Sequence, residues 1–182
     1  MTAPEFSRPH PVRLIHAAPE GLSIEADADE RTALAERFGL VSLDALSADL
    51  TMQREETGLM VRGTVRAAVQ QACVVTGDPV ASDIDETFAL RFLPESDRPA
   101  SDEEEIELDD ADCDTVFYQG DSIDLGEAAA QTMALALDPF PRAAGADEAA
   151  REAGILSEEA AKPDGPFAAL AKLKGDGDDA AS

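Results

Sequence analysis

The sequence predicts an α+β domain: a twisted antiparallel β-sheet or partial barrel, packed by one main helix. Three observations carry that reading. Three long segments between Val41 and Leu93 alternate apolar and polar residues with the two-residue period of strands wet on one face. One later segment, Leu125 to Leu137, carries an apolar stripe at helical spacing. The 182 residues, 44% of them apolar, suffice for one domain with a buried core and length left for a loop and a tail.

The elements follow in order. Residues 1–11 hold Pro4, Pro9 and Pro11 and no apolar run, so they read as a flexible N-terminus without a signal-peptide core. Val12 to Ala17 alternates as a short strand, and Gly21 to Ala26 pairs with it. Asp29 is placed to cap a helix from Glu30 to Phe38, closed by Gly39. Val41 to Arg54 changes parity at Ala45 and Leu46, the mark of a β-bulge. Leu59 to Gln70 puts Leu59, Val61, Val65, Ala67 and Val69 on one face and Met60, Arg62, Thr64, Arg66 and Gln70 on the other. The interval Glu55 to Gly58 has hairpin length. After Gly77, Asp78 and Pro79, a strand runs to about Leu93 with Asp83, Asp85, Thr87 and Arg91 on its wet face.

Pro94 to Asp112 is dense in carboxylates, among them Glu103, Glu104 and Glu105, and reads as a solvated loop or an acidic interaction arm. Thr115 to Tyr118 returns to strand character. Asp124 then stands at a helix N-cap with Glu127 three residues on, a capping-box-like pair, and Pro139 ends the helix. Residues 12–141 form the single domain, 142–165 a linker with weak helix near Asp147 to Gly154, and 166–182 a short amphipathic segment with a flexible tail.

The formal net charge is −25, from 39 acidic and 14 basic residues. Such a field repels phosphate backbones and attracts basic proteins, so broad binding to naked RNA or DNA is disfavoured. No unbroken apolar window reaches membrane-spanning length, and a cytoplasmic location is expected. Walker loop, G-x-G-x-x-G, H-E-x-x-H and G-x-S-x-G patterns are absent from the sequence. His10 and His16 lack an evident nucleophile, and Asp83 with Asp85 reads as solvated charge before it reads as a carboxylate dyad. The sequence therefore points to a protein that binds a macromolecule without catalysis and without a cofactor. Cys73 and Cys113 are expected to be reduced thiols.

Two stretches stand out. Gln71-Ala72-Cys73-Val74-Val75-Thr76-Gly77-Asp78-Pro79-Val80 spans a strand end, a turn and a strand start. Gly120-Asp121-Ser122-Ile123-Asp124-Leu125-Gly126-Glu127 leads into the apolar helix and on to Leu137-Asp138-Pro139-Phe140-Pro141-Arg142. Together with the closing Pro166 to Leu173 segment, they resemble the YceD family, long catalogued as a domain of unknown function. The likeness runs from about Val61 to Leu173 and is closest to the alphaproteobacterial branch. The resemblance implies a part in accumulating large-subunit ribosomal RNA, and it marks Cys73, Thr76, Pro79, Asp124, Leu125, Gly126, Glu127 and Pro139 as motif positions. Many relatives carry C-x-x-C at the first stretch. Here Thr76 replaces the second cysteine, and a hydroxyl is a poor zinc ligand.

Combined with the charge, the resemblance implies a partner that is a basic ribosomal protein or assembly factor, with rRNA touched indirectly and Glu103, Glu104 and Glu105 as contact candidates. A second reading has rRNA bound directly by Arg62 and Arg66, with Arg54 or Arg91 joining them; against it stands pairing of those arginines with Asp83 and Asp85. A third is a metal-dependent nuclease.

Overall fold

The computed structural model describes residues 4–56, 58–98 and 114–155. The described residues fall into two units, divided between Ala143 and Ala144.

The first unit is built on a five-stranded sheet in the order β2-β3-β4-β5-β6. Its strands are Glu20–Glu25 (β2), Ser42–Glu55 (β3), Gly58–Ala72 (β4), Pro79–Pro94 (β5) and Asp114–Tyr118 (β6). A separate two-stranded ribbon joins Pro9–Pro11 (β1) to Ser122–Asp124 (β7). The helices are Ala28–Phe38 (α1) and Leu125–Leu135 (α2). The expected α+β architecture holds. Two helices of equal length pack on the sheet where one was expected to dominate, α1 against β3 and α2 against β4 and β5.

The strand pattern reproduces the sequence periodicity. Leu59, Val61, Val65, Ala67 and Val69 are all buried, as their shared face requires. Met60 departs from it: Leu59, Met60 and Val61 are buried in succession, so both faces of β4 are covered at this end. The register slips between Leu43 and Ala45, which makes Asp44 the extra residue of the bulge, one position before the expected parity change. Gly63 lies under Leu50, whose Cδ2 would stand 2.7 Å from any Cβ added there, so the large side chain on β3 is accommodated by the missing one on β4.

Four expectations need correction. Val12–Leu14 is a 3-10 turn, so β2 pairs with β3 instead of with it; the strand precedes the turn at Pro9–Pro11, where two prolines sit in a ribbon that asks little of their missing N–H groups. Residues 4–11 belong to the packed body, with Phe6 fully buried in the core. Asp27, not Asp29, caps α1, in a reciprocal capping box with Glu30. Finally β6 runs parallel to β5, a pairing that residues 95–113 are long enough to permit.

The second unit contains one described element, the short helix Ala146–Glu152 (α3), entered through Gly145 at φ 88°. It lies within the stretch read from sequence as linker with weak helix. The Pro166 to Leu173 segment and the tail lie outside the described residues.

Candidate functional site

The Asp124–Glu127 motif is a clasp for the N-terminal segment. Asp124 ends β7 and caps α2, its carboxylate accepting the backbone N–H groups of Gly126 and Glu127, both at 3.1 Å. The same carboxylate accepts the Ser7 hydroxyl at 2.6 Å and the Arg8 backbone N–H at 2.8 Å. Leu125 is fully buried and donates its N–H to the Arg8 carbonyl at 3.1 Å. Gly126 has no room for a Cβ, because the Phe6 carbonyl presses against that side of the helix. Asp124, Leu125 and Gly126 therefore all touch residues 6–8.

Glu127 does not complete a capping box with Asp124. Its carboxylate accepts from both terminal guanidinium nitrogens of Arg37, at 2.8 and 2.7 Å, and from the Gln131 amide at 2.7 Å. The Arg37 guanidinium holds the Glu127 carboxyl below the usual carboxylate range. Arg37 also reaches Glu5 at 2.9 Å, while Arg8 binds Glu30 at 2.6 and 2.8 Å and lies over the Phe6 ring. Residues 5–8 are thereby tied to both helices.

The Cys73–Pro79 motif is a second clasp, between the β4–β5 turn and the chain beyond α2. The Cys73 N–H donates to the Asp78 carbonyl at 2.8 Å, and the Gly77 N–H donates to the Cys73 carbonyl at 2.9 Å, with Gly77 at φ 78°. Thr76 Oγ1 accepts the Asp78 N–H at 3.3 Å, and Pro79 opens β5 opposite Ala72. Three backbone N–H groups converge on the Cys73 sulfur, from Ala143 at 3.3 Å and from Val75 and Thr76 at 3.4 Å. The Ala143 amide first, then the Thr76 hydroxyl and the Thr76 and Val75 amides, pull the thiol down to about 6. Val74 donates to the Pro141 carbonyl and Gln71 to that of Asp138, both at 2.9 Å, so the Leu137–Arg142 stretch is fastened to the turn. Pro139 is exposed within this stretch, four positions past the last residue of α2.

Cys73 is thus a buried thiol with specific partners. It is 4% exposed, with its sulfur in a ring of amide donors. That environment suits a thiolate, but it does not fit zinc. Thr76 is no ligand, and among the described residues no three His, Cys, Asp or Glu side chains are grouped to hold a metal ion. Cys113 lies outside the described residues.

The two arginines of the proposed RNA patch already have carboxylate neighbours. Arg66 lies 2.8 Å from Asp49 and 3.6 Å from Asp85, and Arg62 lies 3.9 Å from Glu55. Asp85 was an expected cross-strand partner; Asp49, on the other neighbouring strand, takes the place expected for Asp83. Arg54 is spent on the carbonyls of Val12 and Ile15, at 2.6 and 3.1 Å. Glu103, Glu104 and Glu105 lie outside the described residues.

Sequence reasoning missed one surface feature. Between α2 and the β5–β6 edge lies an open groove of about 710 Å³, lined by Phe88, Leu90, Val116, Ala128 and Leu135, with Glu86 and Asp114 as its charged residues. No motif marks it, since its walls come from three separate elements.

The fold and the two clasps define an acidic α+β domain whose motif residues secure chain segments against its sheet and helices. A family model described as large ribosomal RNA subunit accumulation protein YceD matches residues 61–174, and the chain belongs to that family. No curated protein and no solved structure is detectably similar to it.

Proposed function

We propose that the protein supports accumulation of large-subunit rRNA as a non-catalytic assembly factor, by binding a basic ribosomal protein or another basic assembly factor in the cytoplasm. Family membership supports the ribosomal part of this reading. The observation that carries the rest is electrostatic: the chain bears a net charge of −25, and Arg62 and Arg66 each face a carboxylate. A phosphate backbone approaching that face would have to displace those carboxylates against the whole field. A cationic protein segment is drawn in by the same field. The motif positions Cys73, Thr76, Pro79, Asp124, Leu125, Gly126, Glu127 and Pro139 serve the fold in this reading, which takes the chain as a member of the alphaproteobacterial branch.

The test is affinity capture of the full chain in moderate salt, with protein and RNA both identified. A basic large-subunit protein or assembly factor should be recovered, and charge reversal at Glu103, Glu104 and Glu105 should weaken its retention. Recovery of rRNA without any basic protein would overturn the mechanism in favour of direct RNA binding.

A further inference from the structure

We infer that the outer edge of β5, together with the groove beneath α2, takes an extended basic peptide segment of the partner as an added strand. This rests on the proposed reading and gives it an address. Among the described residues, β6 covers the outer edge of β5 only over Leu90–Pro94. The edge from Pro79 to Ala89 has no neighbouring strand among them, although β4 pairs with its inner side along the whole length.

The register fixes which backbone groups face outward. The Cys73 N–H to Asp78 carbonyl bond lies in the same uninterrupted register as Ala72↔Pro79 through Leu59↔Phe92. Hydrogen bonding alternates along an antiparallel pair. Val80, Ser82, Ile84, Glu86 and Phe88 therefore turn their N–H and C=O groups to β4. Ala81, Asp83, Asp85, Thr87 and Ala89 turn theirs outward. An unpaired row of this kind is a template for another chain, and proteins that keep one either guard it or use it.

What flanks the edge specifies the guest. One face carries exposed Asp83 and Asp85, and Arg66 reaches only the second of them, at 3.6 Å. The other face opens on the groove, with Phe88, Leu90 and Val116 below and Leu135 above, the last 86% exposed. Side chains of an added strand alternate between those faces. The guest is then a strand in which basic residues alternate with apolar ones, its backbone bonded to β5, its cations beside Asp83 and its apolar side chains in the groove. Charge complementarity selects a basic protein segment here over an acidic one or a nucleic acid strand.

The experiment uses the full chain and two probes: a ten-residue peptide alternating Lys and Val, and its twin N-methylated on alternate amides. Purified mixed large-subunit ribosomal proteins form a third arm. The plain peptide should bind and the methylated twin should bind at least tenfold more weakly. Thr87→Pro removes an outward N–H, and Leu135→Asp alters a side chain that is already solvent-exposed. Each variant, shown folded by an unchanged cooperative melt, should lower both peptide binding and ribosomal-protein binding at least tenfold. Equal binding of the two peptides, or no binding of either, overturns the strand-addition proposal. If ribosomal proteins are retained equally by wild type and both variants, the edge proposal falls and the proposed function stands. If none is retained by wild type, both fall. Strong hydrogen-exchange protection of the Ala81, Asp83, Asp85 and Thr87 amides in the free full chain would also overturn it, since the edge would then be occupied already.

Discussion

The carboxylate of Asp124 accepts the backbone N–H of Arg8 at 2.8 Å while also capping α2, so a single side chain both starts a helix and fixes a segment 116 positions away. Asp124→Ala removes the cap and leaves the Ser7 hydroxyl and the Arg8 N–H without their acceptor. Losing an N-cap costs about 1 kcal/mol, and stranding two partly buried donors adds about 1–2 kcal/mol, for about 2–3 kcal/mol in all. Thermal melting should show a drop of roughly 5–10 °C at this chain length. Asp124→Asn, which keeps an acceptor at the cap, should recover most of it.

Gly126→Ala tests the same junction from the steric side. A Cβ there meets the Phe6 carbonyl, which is backbone and cannot rotate away. The substitution should cost about 2–3 kcal/mol in urea unfolding, even though alanine is the better helix former. A stabilised protein would show that residues 6–8 do not lie against α2.

The strands were legible because their signal is local: in β4 every second residue from Leu59 to Val69, Gly63 apart, is apolar, and the sheet pairs them as that period demands. Asp124 was legible as an N-cap for the same reason, one residue read against the three that follow. Its second role was not, because Ser7 and Arg8 are brought to it only by the closed fold. Phe6 was missed likewise: one phenylalanine among prolines has no period to betray its burial. Glu127 illustrates the limit most sharply. Its spacing from Asp124 fits a capping box, but Arg37, from a different helix, offers two charge-assisted hydrogen bonds where the cap offers one neutral donor. The edge of β5 left uncovered among the described residues is equally invisible in sequence, since it depends on which strand stops short beside which.

The Arg37–Glu127 pair gives stability a pH dependence. The folded carboxyl of Glu127 is held low by Arg37, so its contribution is complete above the unfolded value of about 4.3 and is lost as pH falls through the lower folded value. Arg37→Ala should destabilise the protein by about 1–2 kcal/mol near neutrality and by less in acid, where the wild-type pair is itself broken. Urea midpoints of both proteins across the acid range should converge. Midpoints that stay equally separated would assign the effect to the packing of the arginine stem.

Cys73 should titrate near 6, read as the thiolate ultraviolet absorbance that disappears in Cys73→Ser. A thiol held below its unfolded pKa stabilises the fold fully above that unfolded value, and the contribution fades as pH falls toward the folded one. Wild type should therefore gain stability relative to Cys73→Ser as pH rises from about 6 to about 8.5. Thr76→Val removes a hydroxyl that helps lower the thiol, and should move the titration upward while leaving the backbone N–H groups of Ala143, Val75 and position 76 in place.

Arg62 and Arg66 decide between the two modes of ribosomal association. Both are more than half exposed and near carboxylates, so replacing them together with alanine should leave the urea midpoint nearly unchanged. If a basic protein is the partner, the double variant is more acidic and should retain that protein at least as well as wild type, with a slightly steeper decline on adding salt. If the arginines bind rRNA directly, RNA retention should fall and its salt slope should flatten by about one for each phosphate no longer neutralised. The pairing of Arg66 with Asp49 at 2.8 Å favours the first outcome, because a guanidinium already held by a carboxylate must give up that bond before it can take a phosphate.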